Sequence, residues 1–156
     1  MNNNKYKIGV ISDTHGSINP YIKNVFKGVD HIIHAGDVCG RDVLEYLEQI
    51  APVTAVKGNM DFGDISEKLK ATESVRFGKA YIYVLHIPNM LDIEPERDGF
   101  NVIVTGHTHI PKINTNNGVL YLNPGSATFP KKQNNATAAL LHINGEDINA
   151  EIIELK

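Results

Sequence analysis

Short aliphatic and β-branched runs, each closed by Gly, Asn or another polar residue, recur along this 156-residue chain. Residues 7–12 (KIGVIS), 31–35 (HIIHA) and 53–56 (VTAV) read as strands. Between the first two, residues 18–27 have loose helical spacing through Ile18, Ile22, Val25 and Phe26. Residues 41–50 form a better helical pattern, with Val43, Leu44 and Leu47 on one face and Asp42 near the start. The first 60 residues therefore predict β-α-β-α-β with parallel strands.

The second half reads mostly as strand: residues 74–77, 80–85, 101–105, 112–115, 119–122, 136–143 and 149–155. Three turn signals separate pairs of these runs: Gly78-Lys79, Asn116-Asn117-Gly118 and Asn144-Gly145. Residues 64–73 and 87–99 are ambiguous, and Pro88 and Pro95 argue against one long helix in the latter. Residues 2–4 read as a frayed tail. No repeat or linker interrupts the pattern, so residues 1–156 are expected to form a single domain of α/β class.

Composition narrows the function. A chain this long buries a core without disulfides or structural metal. The formal net charge is −3 and the basic residues are scattered, which argues against a stable nucleic-acid partner. One cysteine, Cys39, excludes an intramolecular disulfide and suits a cytoplasmic location. The first apolar run is too short for a signal peptide, and no stretch has the roughly 18 apolar residues a membrane helix needs. No membrane partner is expected; a homo-oligomer remains open.

The chemistry sits at the strand ends. After the first run comes Asp13-Thr14-His15; after the second, Gly36-Asp37; after the third, Gly58-Asn59. His86 follows residues 80–85, and Gly106-His107-Thr108-His109 follows residues 101–105. Ligands bind α/β sheets at the C-terminal strand edge. The alternate histidines of an extended Gly-His-Thr-His would point the same way. Each fragment alone is a common loop or turn, but five at equivalent positions make one site. Seven donors, Asp13, His15, Asp37, Asn59, His86, His107 and His109, fill two four-ligand metal sites if one carboxylate bridges. Oxygen and imidazole donors without thiolate suit two divalent ions, Mn foremost, with Fe, Zn, Ni or Mg also fitting. Two such ions polarise phosphoryl oxygens and activate water for in-line displacement at phosphorus. The chain shows no Ser/His/Asp or Cys/His nucleophile signature.

These motifs resemble those of the calcineurin-like metallophosphoesterase superfamily, whose pattern is D-x-H, G-D, G-N, H and G-H-x-H. Asn123-Pro124-Gly125-Ser126 also looks like a turn of its small prokaryotic phosphodiesterase class. The resemblance spans residues 8 to about 126. It implies a four-layer α/β/β/α sandwich of two mixed sheets flanked by helices. It further implies a metal-dependent phosphoesterase, most simply a phosphodiesterase acting on small phosphate esters by attack of a metal-bound hydroxide. A phosphomonoesterase, or a scaffold like the retromer subunit of this fold, is the alternative. By position, Asp13, His15, Asp37 and His109 would hold one metal and Asp37, Asn59, His86 and His107 the other, with Asp37 bridging. Asp37, Asn59 and His86 are also the expected catalytic residues.

Two departures from the family pattern matter. Many members place a leaving-group acid, His, directly after the Gly-Asn asparagine; here Met60 stands there, with Asp61 next. Ile87-Pro88 replaces a common Gly after the fourth-strand histidine. Of the remaining candidates, His34 reads as a satisfied core or supporting histidine and Cys39 as a packing residue. Lys57 and Arg41 could reach a phosphate but read as solvated surface.

Overall fold

The computed structural model describes residues 4–128 and 135–156; residues 2 and 3 of the expected tail lie outside this range. Among the described residues, ten strands form two mixed five-stranded sheets. The first contains β1 (Lys5–Ile11), β2 (His31–His34), β3 (Val53–Ala55), β9 (Thr137–Asn144) and β10 (Asp147–Glu154), in the order β10-β9-β1-β2-β3. The second contains β4 (Thr72–Phe77), β5 (Ala80–Leu85), β6 (Val102–Val104), β7 (Lys112–Asn116) and β8 (Val119–Asn123), in the order β4-β5-β6-β8-β7. β1, β2 and β3 run parallel, as do β5, β6 and β8, and antiparallel strands complete each sheet.

The apolar runs explain the layering. Ile8, Val10 and Ile33 of the first sheet bury themselves against Ile82, Val84, Val102 and Val104 of the second. The opposite face of the first sheet, with Ile11, Ile32 and Leu140, is covered by α1 (Ile22–Val25), α2 (Arg41–Glu48) and α3 (Asp64–Lys68). The outer face of the second sheet packs Tyr83, Ile103 and Tyr121 beneath Leu91, Ile93 and Phe100. The expected sandwich is thus present, with a thin fourth layer: a 3₁₀ turn at Pro88–Met90 and the coil that follows. Pro88 and Pro95 hold that segment out of a regular helix.

Two local differences have plain causes. The first helix is one turn long, not ten residues. Asn19 Oδ1 accepts the Tyr21 N–H (2.9 Å), an Asx turn that delays the helix, and Gly28 at φ 80° closes the segment. The last hairpin turns at Gly145-Glu146, one residue beyond the Asn-Gly dipeptide, because Asn144 pairs with Asp147. Only its first turn residue has positive φ (Gly145, 63°), the pattern of a II′ turn. Among the described residues, no helix is long and apolar enough to cross a membrane.

Candidate metal centre

The C-terminal ends of both parallel strand sets meet at one edge of the sandwich. Loops after β1, β2 and β3 bring Asp13, His15, Asp37 and Asn59; loops after β5 and β6 bring His86, His107 and His109. Two glycines make the approach possible. A Cβ on Gly106 would collide with Ser12 Oγ, and one on Gly36 would sit 2.6 Å from His86 Nδ1. Gly36 also has φ 103°, which side chains rarely adopt.

Five of the seven donors are themselves left-handed: Asp13, His15, Asp37, His107 and His109 have φ between 48° and 73°. Such conformations cost on the order of 1 kcal/mol or more each and concentrate at functional sites. They also overturn the extended reading of Gly-His-Thr-His. β6 ends at Val104, and the Thr108 N–H turns back onto Gly106 C=O (2.8 Å). The two histidines therefore diverge. His107 faces His86 (ring centroids 5.3 Å) and His109 faces His15 (5.2 Å).

Each carboxylate divides its oxygens. Asp13 Oδ2 accepts from Ser12 Oγ (2.6 Å) and the His107 N–H (3.0 Å). Asp13 Oδ1 faces the Nε2 atoms of His109 (3.2 Å), His15 and His86 (3.8 Å each). Asp37 Oδ1 accepts the Met60 N–H (2.8 Å), while Oδ2 faces His86 Nε2 (3.2 Å) and His15 Nε2 (3.8 Å). His15 and His109 bring their Nε2 atoms to 3.3 Å. At the exposed rim, His107 Nδ1 lies 3.2 Å from Asn59 Oδ1.

A cation fits this arrangement. His86 Nδ1 donates to Ala35 C=O (2.7 Å), which leaves Nε2 as a bare lone pair in the neutral ring. Buried Asp13 Oδ1 and His86 Nε2 both lack a hydrogen-bond partner. Two buried acceptors aimed at each other are costly unless something positive lies between them. Among the described residues, two groups have the spacing to hold an ion, Asp13-His15-His109 and Asp13-Asp37-His86. Either carboxylate could bridge on geometry alone, since both face His15 and His86. Burial alone would push the Asp37 pKa up, but His86, the Met60 N–H and His15 together hold it below the usual range. Burial works against a charged His86 too, yet Asp37 and Asp13 raise its pKa.

A brace without metal-binding chemistry supports these donors, and sequence reading missed most of it. Asp61 is buried; Oδ2 accepts the N–H groups of Gly58 (2.8 Å) and Asp37 (3.1 Å), and Oδ1 that of Cys39 (2.7 Å). Spent on the backbone, it clasps the Asp37 and Asn59 loops together. Asn123 Nδ2 donates to Gly106 C=O (2.9 Å) and Ser126 Oγ to Asp13 C=O (2.8 Å), so the Asn-Pro-Gly-Ser turn ties both histidine and aspartate loops in place. Cys39, half-buried beside three carboxylates, has its thiol pushed up to about 11, by burial first and then by Asp61 and Asp37. It stays a neutral thiol, consistent with packing.

His34 is the supporting histidine expected. Nδ1 accepts the Gly36 N–H (3.1 Å), so Nε2–H donates to Thr14 Oγ1 (3.0 Å), whose proton goes to Val38 C=O (3.1 Å). Burial, then the positive potential of His86, lowers its pKa from 6.5 to about 3. Unfolded, it titrates near 6.5; between the two values the unfolded chain binds the extra proton. Its contribution, of a few kcal/mol, is full above pH 6.5 and is lost as pH falls toward 3. The melting temperature of His34→Gln should therefore fall less steeply than wild type across that window. Parallel curves would mean that His34 does not carry this acid sensitivity.

The comparisons agree with the geometry. A model of the calcineurin-like phosphoesterase superfamily domain matches residues 6–146. A probable metallophosphoesterase of Methanothermobacter thermautotrophicus is 38% identical over 157 residues, covering 94% of this chain and 91% of that protein. Phosphodiesterase YfcE of Escherichia coli K12 is 27% identical over 162 residues, covering 86% of each. Among solved structures, a "predicted phosphoesterase" from Streptococcus pneumoniae TIGR4 superposes with TM-score 0.77 at 24% identity (96% of this chain, 90% of that one). Vacuolar Protein Sorting 29 from Cryptosporidium parvum superposes with TM-score 0.76 at 21% identity (96% and 97%). At such identities, both structures speak for the fold alone.

Proposed function

Because the chain belongs to the calcineurin-like phosphoesterase superfamily, we propose that it is a phosphodiesterase whose seven donors hold two divalent metal ions, manganese by preference. The observation that carries this reading is the pair of buried atoms without a hydrogen-bond partner, Asp13 Oδ1 and His86 Nε2, 3.8 Å apart. If bound there, two ions would supply Lewis acidity toward the phosphoryl oxygens and would lower the pKa of water toward neutral.

The residues divide the remaining work. Asp13 and Asp37 each keep one oxygen for the protein and offer the other to the site. We assign the bridge to Asp37 by its position in the family pattern; its Oδ2 is 3.8 Å from His15 Nε2 and 3.2 Å from His86 Nε2, within reach of both positions. Asn59 and His107, at the exposed rim, are where a phosphoryl group would enter. Phe62, Met60 and Arg41 line a cleft of about 740 Å³ on the His15 side, and Lys57 and Met90 line one of about 340 Å³ beside His86. Two clefts flanking one centre suit the two substituents of a phosphodiester. Donors from both halves of the chain meet in this site, so we take residues 1–156 as one domain.

Reconstitution tests the proposal. Mn²⁺-loaded protein should contain close to two metal ions per chain and release nitrophenol from bis(p-nitrophenyl) phosphate, with activity lost to a chelator and restored by Mn²⁺. Occupancy should fall on acidification, because His86 must lose its proton to bind. Saturation at one ion would refute the binuclear arrangement. Two ions without any phosphoester hydrolysis would favour a non-catalytic scaffold.

A further inference from the structure

Two large apolar side chains stand unburied beside the metal centre. Phe62 is 71% exposed and Met60 46%, and both line the cleft whose inner wall is His15. The loop that carries them is fixed, not loose: Asp61, between them, is buried and holds three backbone N–H groups. The exposure is thus built into the same clasp that positions Asp37. An exposed aromatic and an exposed methionine side by side on a braced loop at the mouth of a polar site mark a ligand surface more than one that only meets water.

We propose that Phe62 and Met60 form a platform for a planar aromatic ring carried by one substituent of the phosphate ester. The inference rests on the phosphodiester reading and extends it to the class of substrate. A flat ring stacks on Phe62, and the adaptable Met60 thioether packs against its edge. Arg41 and Asp64 bring one charge of each sign to the cleft lining, and Ile65 adds apolar wall. That balance disfavours a polyphosphate chain, which would meet Asp64, and suits a ring with both hydrogen-bond donors and acceptors. A nucleobase and a simple aryl ester share the ring chemistry; the experiment separates them.

The chain has no tryptophan, so Phe62→Trp supplies a single reporter at the platform. The exposure of Phe62 makes the change tolerable to the fold. The full chain in Mg²⁺ buffer is titrated with adenosine 5′-monophosphate, phenyl phosphate and ribose 5-phosphate. Stacking should quench the emission with the two aromatic ligands and leave it unaltered with ribose 5-phosphate. Quenching by the adenosine ligand alone would assign the platform to a nucleobase; quenching by both would assign it to aromatic rings in general. By calorimetry, Phe62→Ala should weaken adenosine monophosphate relative to ribose 5-phosphate by about 5- to 150-fold. No quenching by either aromatic ligand, or an unchanged affinity ratio in Phe62→Ala, overturns the proposal. Because binding is read without turnover, the two readings fail separately. Quenching in a protein that hydrolyses no phosphoester leaves the platform standing and removes the enzyme, whereas hydrolysis without ring preference does the reverse.

Discussion

Asp37→Ala should abolish phosphodiester hydrolysis and empty both metal positions at once. Asp37 Oδ2 lies 3.8 Å from His15 Nε2 and 3.2 Å from His86 Nε2, so as the proposed bridge it would touch both ions. Its Oδ1 also accepts the Met60 N–H, and truncation would leave that donor unsatisfied at the rim of the centre. Loss of both ions removes several kcal/mol of charge stabilisation, on the order of 10³ or more in kcat. His86→Ala should behave differently: it removes one imidazole but keeps Asp37 together with Asp13, His15 and His109, the side chains assigned to the first ion, so about one ion should remain. Elemental analysis of the two variants distinguishes them, with melting curves to confirm that both are folded. If Asp37→Ala retains two ions and near-normal turnover, the bridge lies elsewhere, and Asp13 is the residue the geometry offers in its place.

The convergence of these seven side chains at one edge could be read from the chain because each follows an apolar strand, which fixes where the next polar residue emerges. The hairpins were equally legible through Gly78-Lys79 and Asn117-Gly118, whose turn types demand those residues. What could not be read is backbone shape. Nothing in the letters of Asp13 or His109 announces a left-handed conformation; only the neighbouring glycines hint at crowding. The extended reading of Gly-His-Thr-His failed for that reason, and with it the idea that both histidines share one direction. The clasp was invisible for a different reason. Asp61 and Asn123 hold backbone groups, and such contacts have no spacing rule, so only the folded chain shows that Asp61 is occupied three times over. The length of the first helix was misjudged because hydrophobic spacing continued through residues whose local hydrogen bonds, at Asn19, favour a turn.

Simple alkyl phosphate esters should be poor substrates and aryl esters good ones, because no side chain in the described site stands ready to protonate the leaving oxygen. By its place after Gly58-Asn59, Met60 stands where the family pattern would put a histidine, and a thioether has no proton to give. The next candidate, Asp61, is already occupied, since its two oxygens accept three backbone N–H groups. Cys39 lines the same cleft, but its thiol, pushed up to about 11, is a poor proton donor. A nitrophenolate leaves without help, whereas an alkoxide does not. A positioned acid is worth roughly 10²–10⁴ in rate, or about 3–5 kcal/mol of barrier, and wild type should show a handicap of that order on alkyl leaving groups. Met60→His should recover part of it, about tenfold or more, for alkyl leaving groups and little for nitrophenyl ones. Recovery stays partial because the new imidazole lacks an orienting partner. Met60 also contributes to the proposed ring platform, so the ratio of alkyl to aryl kcat/KM must be compared at a common retained substituent. The Met60 N–H bond to Asp37 is a backbone contact that the substitution keeps, so metal content should not change. An unchanged ratio in a fully metal-loaded Met60→His protein would show that residue 60 does not face the departing oxygen. Efficient wild-type cleavage of alkyl esters would place the acid elsewhere than at residue 60.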